Sequence, residues 1–355
     1  MNRTALTEKI LDNARQLGFL LAGIALPGKT ESFGRFTDWL ASGHHGQMAY
    51  LARPDTLVKR ANNTLMLPSA KSVLVLGLPY FAQRHTPIMP TQPGYGRVAA
   101  YAWGTDYHLV IPQKLQALVE NIRQYCDEPF EYAIHTDSAP ILERELAVKA
   151  GLGWVGKSGM VISPAHGSYF LLSEVFLSLA LEPSDKIVSD HCGNCQRCID
   201  ACPTQCILPN RTINANRCIS NITIENKGDI PIDYANLIGD WIFGCDVCQQ
   251  VCPWNIRFST TKADKSLALD KENRTLNLHT VLATSTTELK ANYLNSPISR
   301  AKPAGIKRNA LAVLANDPTT DAIDIALAAQ QDADPLVTRA ATIALQRIQK
   351  NDPHS

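Results

Sequence analysis

CGNCQRCIDACP (192–203) and CDVCQQVCPW (245–254) are the two stretches on which the reading of this chain turns. The first is a C-x2-C-x2-C-x3-C-P run formed by Cys192, Cys195, Cys198 and Cys202. The second, Cys245, Cys248 and Cys252 followed by Pro253, is the shorter C-x2-C-x3-C-P, with Val251 standing where a third C-x2-C cysteine would fall. Two residues between thiolates let a tight loop cover three corners of a cubane 4Fe-4S cluster, and the fourth cysteine, turned away by its proline, reaches the neighbouring cluster. The rule groups Cys192, Cys195 and Cys198 with Cys252, and Cys245 and Cys248 with Cys202. The second group needs one more thiolate. Cys218 is the expected ligand, Cys206 can exchange roles with it, and Cys126 is left over. A single C-x2-C pair would suit zinc as well, but the triple spacing and the two C-P endings favour clusters. A disulfide framework is not expected in a chain of 355 residues that opens without a signal peptide.

Composition bounds the rest. The length leaves room for roughly two or three domains, and with 45% hydrophobic residues each can build a core. A formal net charge of +1 advertises no global affinity for nucleic acid, so any such partner has to be met by a local patch. Residues 1–20 form an amphipathic pattern rather than a leader, and no run of about 18 apolar residues is long enough for a membrane span. The expectation is a cytoplasmic protein.

Periodicity divides the chain into four. Residues 1–185 alternate helical and strand patterns: helices over 5–17, 107–125 and 141–150, strands over 20–26, 72–78 and 132–135, and a hairpin joining 160–163 to 169–176. This mixture predicts an α/β or α+β domain built on one sheet. Residues 186–256 carry the cysteines, and 257–302 form a connection whose polar part is Ser259–Thr275. Residues 303–355 read as helices over 303–315, 320–331 and 335–349, broken at Asp317-Pro318 and Asp334-Pro335. They have the look of HEAT-type helix pairs or of a plain C-terminal bundle.

Two motifs mislead. GLGWVGKS (151–158) satisfies both the G-x-G-x-x-G and the G-x-x-x-x-G-K-S patterns. Each requires a strand before the glycines and a helix after. Here a helical pattern precedes and a strand-like one follows, so nucleotide binding is rejected. Asp106-Tyr107-His108 begins like a D-x-H-x-x-G cobalamin-ligand motif, but Ile111 stands where glycine should be. His108 is therefore read as structural or surface, as are His44, His45, His166 and His191. Asp137 follows a short strand in a polar loop that can present it to a cleft, although an aspartate there is more often a cap or turn residue. The aromatics between Tyr95 and Tyr107 are core or pocket wall.

Taken together, RVAAYAWG (97–104), DSAP (137–140), GLGWVGK (151–157), RCISNITIE (217–225), GCDVCQQVCPW (244–254) and RAKPAGIKRN (300–309) resemble the epoxyqueuosine reductase family, and the resemblance runs essentially end to end. Ser158 stands where many relatives carry asparagine, and Asn221 where an aromatic is common. The resemblance implies an α+β protein with an N-terminal α/β cobalamin-binding domain, a two-cluster ferredoxin-like domain and C-terminal HEAT-like helices. It implies cobalamin bound base-off without a histidine ligand, two 4Fe-4S clusters, and removal of the epoxide oxygen from epoxyqueuosine at the wobble position of tRNA. Cofactor contacts are expected at Arg60, Arg97, Tyr101, Asp137, Ser158, Ser220, Thr223, Asp246 and Val247, with the cluster of Cys202, Cys218, Cys245 and Cys248 nearer the corrin. Asp137 is the expected acid for the departing oxygen, which would require its carboxyl to be raised from the ordinary ~3.9 by burial. Arg300, Lys302, Lys307 and Arg308 are expected to meet phosphates of the anticodon arm. A monomer served by an external low-potential electron donor completes the picture. A reductive dehalogenase would share both cofactors, and a ferredoxin-type carrier would share the clusters alone. The first generally travels with an export signal, and the second leaves the N-terminal domain idle.

Overall fold

The computed structural model describes residues 2–81, 92–126, 128–258, 263–267, 272–316 and 319–351. The break expected at Asp317-Pro318 and much of the polar stretch between Ser259 and Thr275 lie outside these residues. Strands run, in chain order, β1 (Leu21–Ala25), β2 (Ser72–Pro79), β3 (Tyr95–Val98), β4 (Tyr132–His135), β5 (Trp154–Val155), β6 (Val161–Ile162), β7 (Phe170–Leu177), β8 (Trp241–Phe243) and β9 (Thr275–Asn277).

The main sheet has the order β1-β2-β7-β4, and every neighbouring pair is antiparallel. The first domain is thus α+β rather than α/β. Side chains alternate across a strand, and here both faces are covered. Ile10 and Ala14 of the helix Arg3–Gln16, with Val110, Ile111, Leu115, Leu118 and Ile122 of the helix Tyr107–Tyr125, cover Leu74, Leu76, Leu78, Val175 and Leu177. On the other face Ile141, Leu146 and Ala147 pack on Val73, Val75, Phe170 and Phe176. Double coverage explains why β2 reads as an unbroken apolar run although its partners are antiparallel. Each Leu, Ile or Val so buried contributes roughly 1.5–3 kcal/mol. Both helices start where the sequence caps them: the Asn2 side chain accepts from the N–H of Ala5, and that of Asp106 from the N–H of His108.

Three expectations need correction. The hairpin forms between β5 and β6, not between 160–163 and β7. Gly159, at φ +75°, closes its turn, and β7 is drawn into the centre of the main sheet, where β2 and β4 both pair with it. The glycines of 151–158 serve this packing: a Cβ on Gly153 would stand 2.1 Å from the Ile162 carbonyl oxygen. There is also more than one sheet. A second has the order β8-β3-β9, β3 running parallel to β8 and antiparallel to β9. It stitches a segment of the first 185 residues to the cysteine region and to the chain beyond it. Finally, Lys302–Leu314, expected to present Lys307 and Arg308 to phosphates, is mostly buried. It packs on β8, on the short helix Ile219–Ile224 and on the helix Pro335–Asn351, which also receives Ala322–Ala329. No helix among the described residues is long and apolar enough to cross a membrane.

Candidate active site

The cysteines gather in two groups. Cys198 has Cys252, Cys192 and Cys195 as neighbours, and burial followed by their charge pushes its thiol up to about 11. Backbone N–H groups of Trp254 and Asn255 point at Cys252. The second group is Cys202, Cys206, Cys218, Cys245 and Cys248. Cys206 sits inside it: its Sγ lies 3.4 Å from that of Cys202, and its thiol proton, shared with both neighbours, holds Cys202 down to about 5 and Cys218 to about 7. Cys218 is also the N-cap of Ile219–Ile224, which puts the N–H groups of Ser220 and Asn221 on the side of its sulfur. Cys248 neighbours Cys198 as well as Cys202, so the two groups adjoin. Cys126 lies apart, at the end of the helix Tyr107–Tyr125. The first group has the four thiols that a cubane cluster requires, and the second has those four and one to spare. The indole N–H of Trp154 adds a hydrogen bond to Cys192 Sγ at 3.4 Å.

From the second group the structure leads to Asp137. Asp246 follows Cys245, is buried, and accepts from the N–H of Ala100 at 2.7 Å; burial pushes its carboxyl up to about 6. Tyr101 comes next, its ring 6.2 Å from Phe243 and 6.3 Å from Tyr107. Tyr107 donates to Asp137 Oδ2 at 2.9 Å, and His108 Nε2 lies 3.2 Å from the same oxygen. Asp137 itself sits at φ +55°, which few residues other than glycine tolerate, with its side chain 55% exposed.

Here the electrostatics overturn an expectation. The hydrogen bond from His108, backed by the one from Tyr107, holds Asp137 below the usual carboxylate range. Conversely, hydrogen bonds to Asp106 (2.9 Å) and Asp137 push His108 up to about 9. At neutral pH the proton is on the imidazole and the carboxyl is ionised. Both ring nitrogens of His108 are taken, so neither is available to a metal. Tyr50, Arg300 and Glu225 all lie within electrostatic reach of Asp137 or of Tyr101.

The remaining site candidates divide. Val247 is buried beside Asp246, and Ser220 is partly exposed at the start of its helix. Ser158 is buried in the β5–β6 turn. Arg97 pairs with Asp240 at 2.6 Å and lies over the Trp241 ring. Arg60 is buried over Phe36, with an N–H to the Leu51 carbonyl. Thr223 is buried, its hydroxyl donating to the Ile219 carbonyl and accepting from the N–H of Gly244. Lys307 and Arg308 are corrections. Lys307 pairs with Asp332 at 2.8 Å, with 6% of its side chain exposed. Arg308 is 1% exposed and donates to the carbonyls of Ile222, Asn226 and Gly228 and to Asn309. Arg300 and Lys302 do reach solvent, Arg300 while paired with Glu225 at 2.7 Å. Lys302 has φ +60° and ψ 159°, a conformation almost reserved for glycine. The sequence reading missed Tyr50, Tyr107, His108, Glu143 and Glu225.

Polar atoms without partners border this region. Asn221 Oδ1 and Arg217 Nε, flanking Cys218, and His45 Nδ1 are buried and unbonded. Such a rim suits a large cofactor edged with amides.

Comparison with known proteins accords with this geometry. The family model "Epoxyqueuosine reductase QueG, DUF1730" matches residues 60–138, and "4Fe-4S double cluster binding domain" matches 191–255. An epoxyqueuosine reductase of Pseudomonas aeruginosa is 36% identical over 92% of this chain and 90% of its own length. A crystal structure of epoxyqueuosine reductase with an epoxyqueuosine-modified tRNA-Tyr stem loop superposes with a TM-score of 0.89 at 29% identity, covering 98% of this chain and 91% of that one. The Bacillus subtilis enzyme, whose structure has an aspartate-bearing catalytic loop swung out of the active site, gives a TM-score of 0.87 at 28% identity, with coverage of 98% and 91%.

Proposed function

This chain belongs to the epoxyqueuosine reductase family, and from that we infer that it reduces epoxyqueuosine to queuosine at the wobble position of tRNA anticodons, the last step of queuosine synthesis. Opening the epoxide to an alkene consumes two electrons and two protons and releases the oxygen as water. Two 4Fe-4S clusters carry the electrons one at a time. We assign one to Cys192, Cys195, Cys198 and Cys252, the other to Cys202, Cys218, Cys245 and Cys248. Cys218 is preferred to Cys206 because two backbone N–H groups already point at its sulfur, as they do at cluster thiolates. Cobalamin, when bound, supplies a strong two-electron reductant in its cob(I) state. Tyr101, Ser158, Ser220, Asp246 and Val247, with the unbonded rim at Asn221 and Arg217, would hold it, and Arg60 and Arg97 would brace the walls.

The observation that carries the reading is Asp137 gripped by Tyr107 and His108 on the far side of Tyr101 from the second cysteine group. We read Asp137 as the group facing the departing oxygen and His108 as the store of its proton. A carboxylate held low is a poor resting acid, whereas an imidazolium one hydrogen bond behind it can refill it. Arg300 and Lys302 are the phosphate contacts, Lys307 and Arg308 having been lost to the interior. Phosphate contacts at the cleft mouth suit a single-stranded anticodon loop with its modified base turned out. Domains at 1–185, 186–256, 257–302 and 303–355, the last HEAT-like, divide this labour, and we expect a cytoplasmic monomer with an external low-potential donor.

The test is anaerobic turnover of an epoxyqueuosine-containing anticodon stem-loop by cluster-loaded protein with and without cobalamin, read by nucleoside mass. Loss of one oxygen mass only when cobalamin is present is the expected result; no conversion with both cofactors bound would overturn the reading. Asp137→Asn should abolish turnover and leave the cofactor spectra intact.

A further inference from the structure

The sheet face beneath the Asp137 loop holds two acids that the proposed chemistry leaves unused. Glu174, on β7, is 0% exposed. Its cross-strand partners are Val75 on β2 and His135 on β4, and the helix Glu143–Lys149 covers that face. Glu143 opens the helix. Its Oε1 accepts the backbone N–H of Asp137 at 2.7 Å, and its carboxyl lies within hydrogen-bond reach of Glu174. Written as two anions, the pair leaves both oxygens of Glu174 without a partner in the interior. Such a carboxylate costs far more than a hydrogen bond returns, so one acid must keep its proton. The other charged groups around the pair are Arg144 on the same helix, Asp137 on the loop, and His135 on β4, which burial and Lys59 keep neutral. The face contributed by β2 is apolar.

We propose that Glu143 is the positioning residue of Asp137: as the ionised half of a buried carboxyl pair whose proton stays on Glu174, it anchors the Asp137 backbone in its left-handed conformation and holds the carboxylate toward the cleft. This rests on reading Asp137 as the group that meets the substrate. Burial and the charge of Glu143 push Glu174 well above the usual carboxyl range, and burial with Asp137 brings Glu143 up to about 7. Titrations this tightly linked belong to the pair, with Glu174 as the holder of the last proton. A charged acceptor grips an amide about twice as strongly as a neutral one, so the hold tightens as pH rises through the ionisation of Glu143.

Infrared spectra of the enzyme carrying both clusters and cobalamin, taken at pH about 8, test the pair without turnover. A protonated-carboxyl C=O stretch that is lost in Glu174→Gln is expected; its absence from the wild type overturns the proposal. In kinetics, Glu143→Ala should lower kcat by about 10²-fold, the scale of a misplaced catalytic group, with KM for the stem-loop and the cofactor spectra unchanged. Glu143→Gln, whose amide can accept from Asp137 and donate to Glu174, should restore most of that rate and remove the acid limb of the kcat profile near pH 7. A Glu143→Ala enzyme as fast as wild type, beside an inactive Asp137→Asn, overturns the positioning role. If Asp137→Asn is itself fully active, the role given to Asp137 falls and the positioning role with it, while the infrared band still decides the pair. Should Glu143→Ala not fold, Glu143→Gln/Glu174→Gln decides: an acid limb that persists near pH 7 refutes the proposal.

Discussion

Replacing His108 with Gln removes the cation bonded to both Asp106 and Asp137. Its imidazole rises from an ordinary 6.5 to about 9. At 1.36 kcal/mol per unit that is roughly 3 kcal/mol of preference for the charged form. With 32% of the side chain exposed, solvent screening brings the figure to about 2 kcal/mol. The sign follows from the folded state binding the proton more tightly than the unfolded one. The stabilisation is complete below about 6.5 and is lost as pH climbs through about 9. The direct assay is an NMR titration of the His108 ring, its resonance identified by disappearance in His108→Gln. A midpoint near 9 is expected, together with an alkaline limb of kcat at the same pH that vanishes in the variant. A ring titrating at 6.5, or a limb that survives the substitution, refutes the assignment of His108 as the proton store.

Arg308→Met strips donors from the buried carbonyl of Ile222, at about 1–3 kcal/mol, and from the partly buried carbonyls of Asn226 and Gly228. It should lower the urea midpoint and the hydrogen-exchange protection of 222–228 while leaving stem-loop affinity unchanged in the folded protein; weaker RNA binding at undiminished stability would contradict its burial. Lys302→Gln should reduce the slope of log affinity against log salt by about one, between the single- and double-stranded limits per phosphate, and an unchanged slope removes Lys302 from the interface. Trp154→Phe deletes the N–H bond to Cys192. Such bonds favour the more negative, reduced cluster, so one of two potentials in an EPR-monitored titration should fall and the other stay, whereas two unmoved potentials would dismiss the bond.

What the sequence disclosed depended on range. Thiolate spacing is local geometry, and the two cysteine groups could be assembled on paper. The long helices carry their own caps and periodicity. β3 could not be seen: it is four residues long, contains a glycine, and owes its existence to pairings such as Arg97 with a partner 143 positions away. Lys307 and Arg308 looked solvated because charge is assumed to face water. The warning lay in KPAGIKRNALAVL, where apolar residues occur on every face of the helix. His108 meets Asp137 across 29 positions, and that was not readable. Glu143, six residues after Asp137, was: a carboxylate so soon after a turn is a ready acceptor for the turn's amides.

The second sheet also fixes an order of events during synthesis. Every cysteine has been translated by Cys252, yet β9, the strand that closes the sheet on β3, is not made until Thr275–Asn277. A nascent chain can therefore expose a full complement of thiols to cluster-delivering machinery before the wall that β3, β8 and β9 share is finished. Non-local strands of this kind close late, so both cysteine groups are complete in the growing chain before the second sheet can close around them.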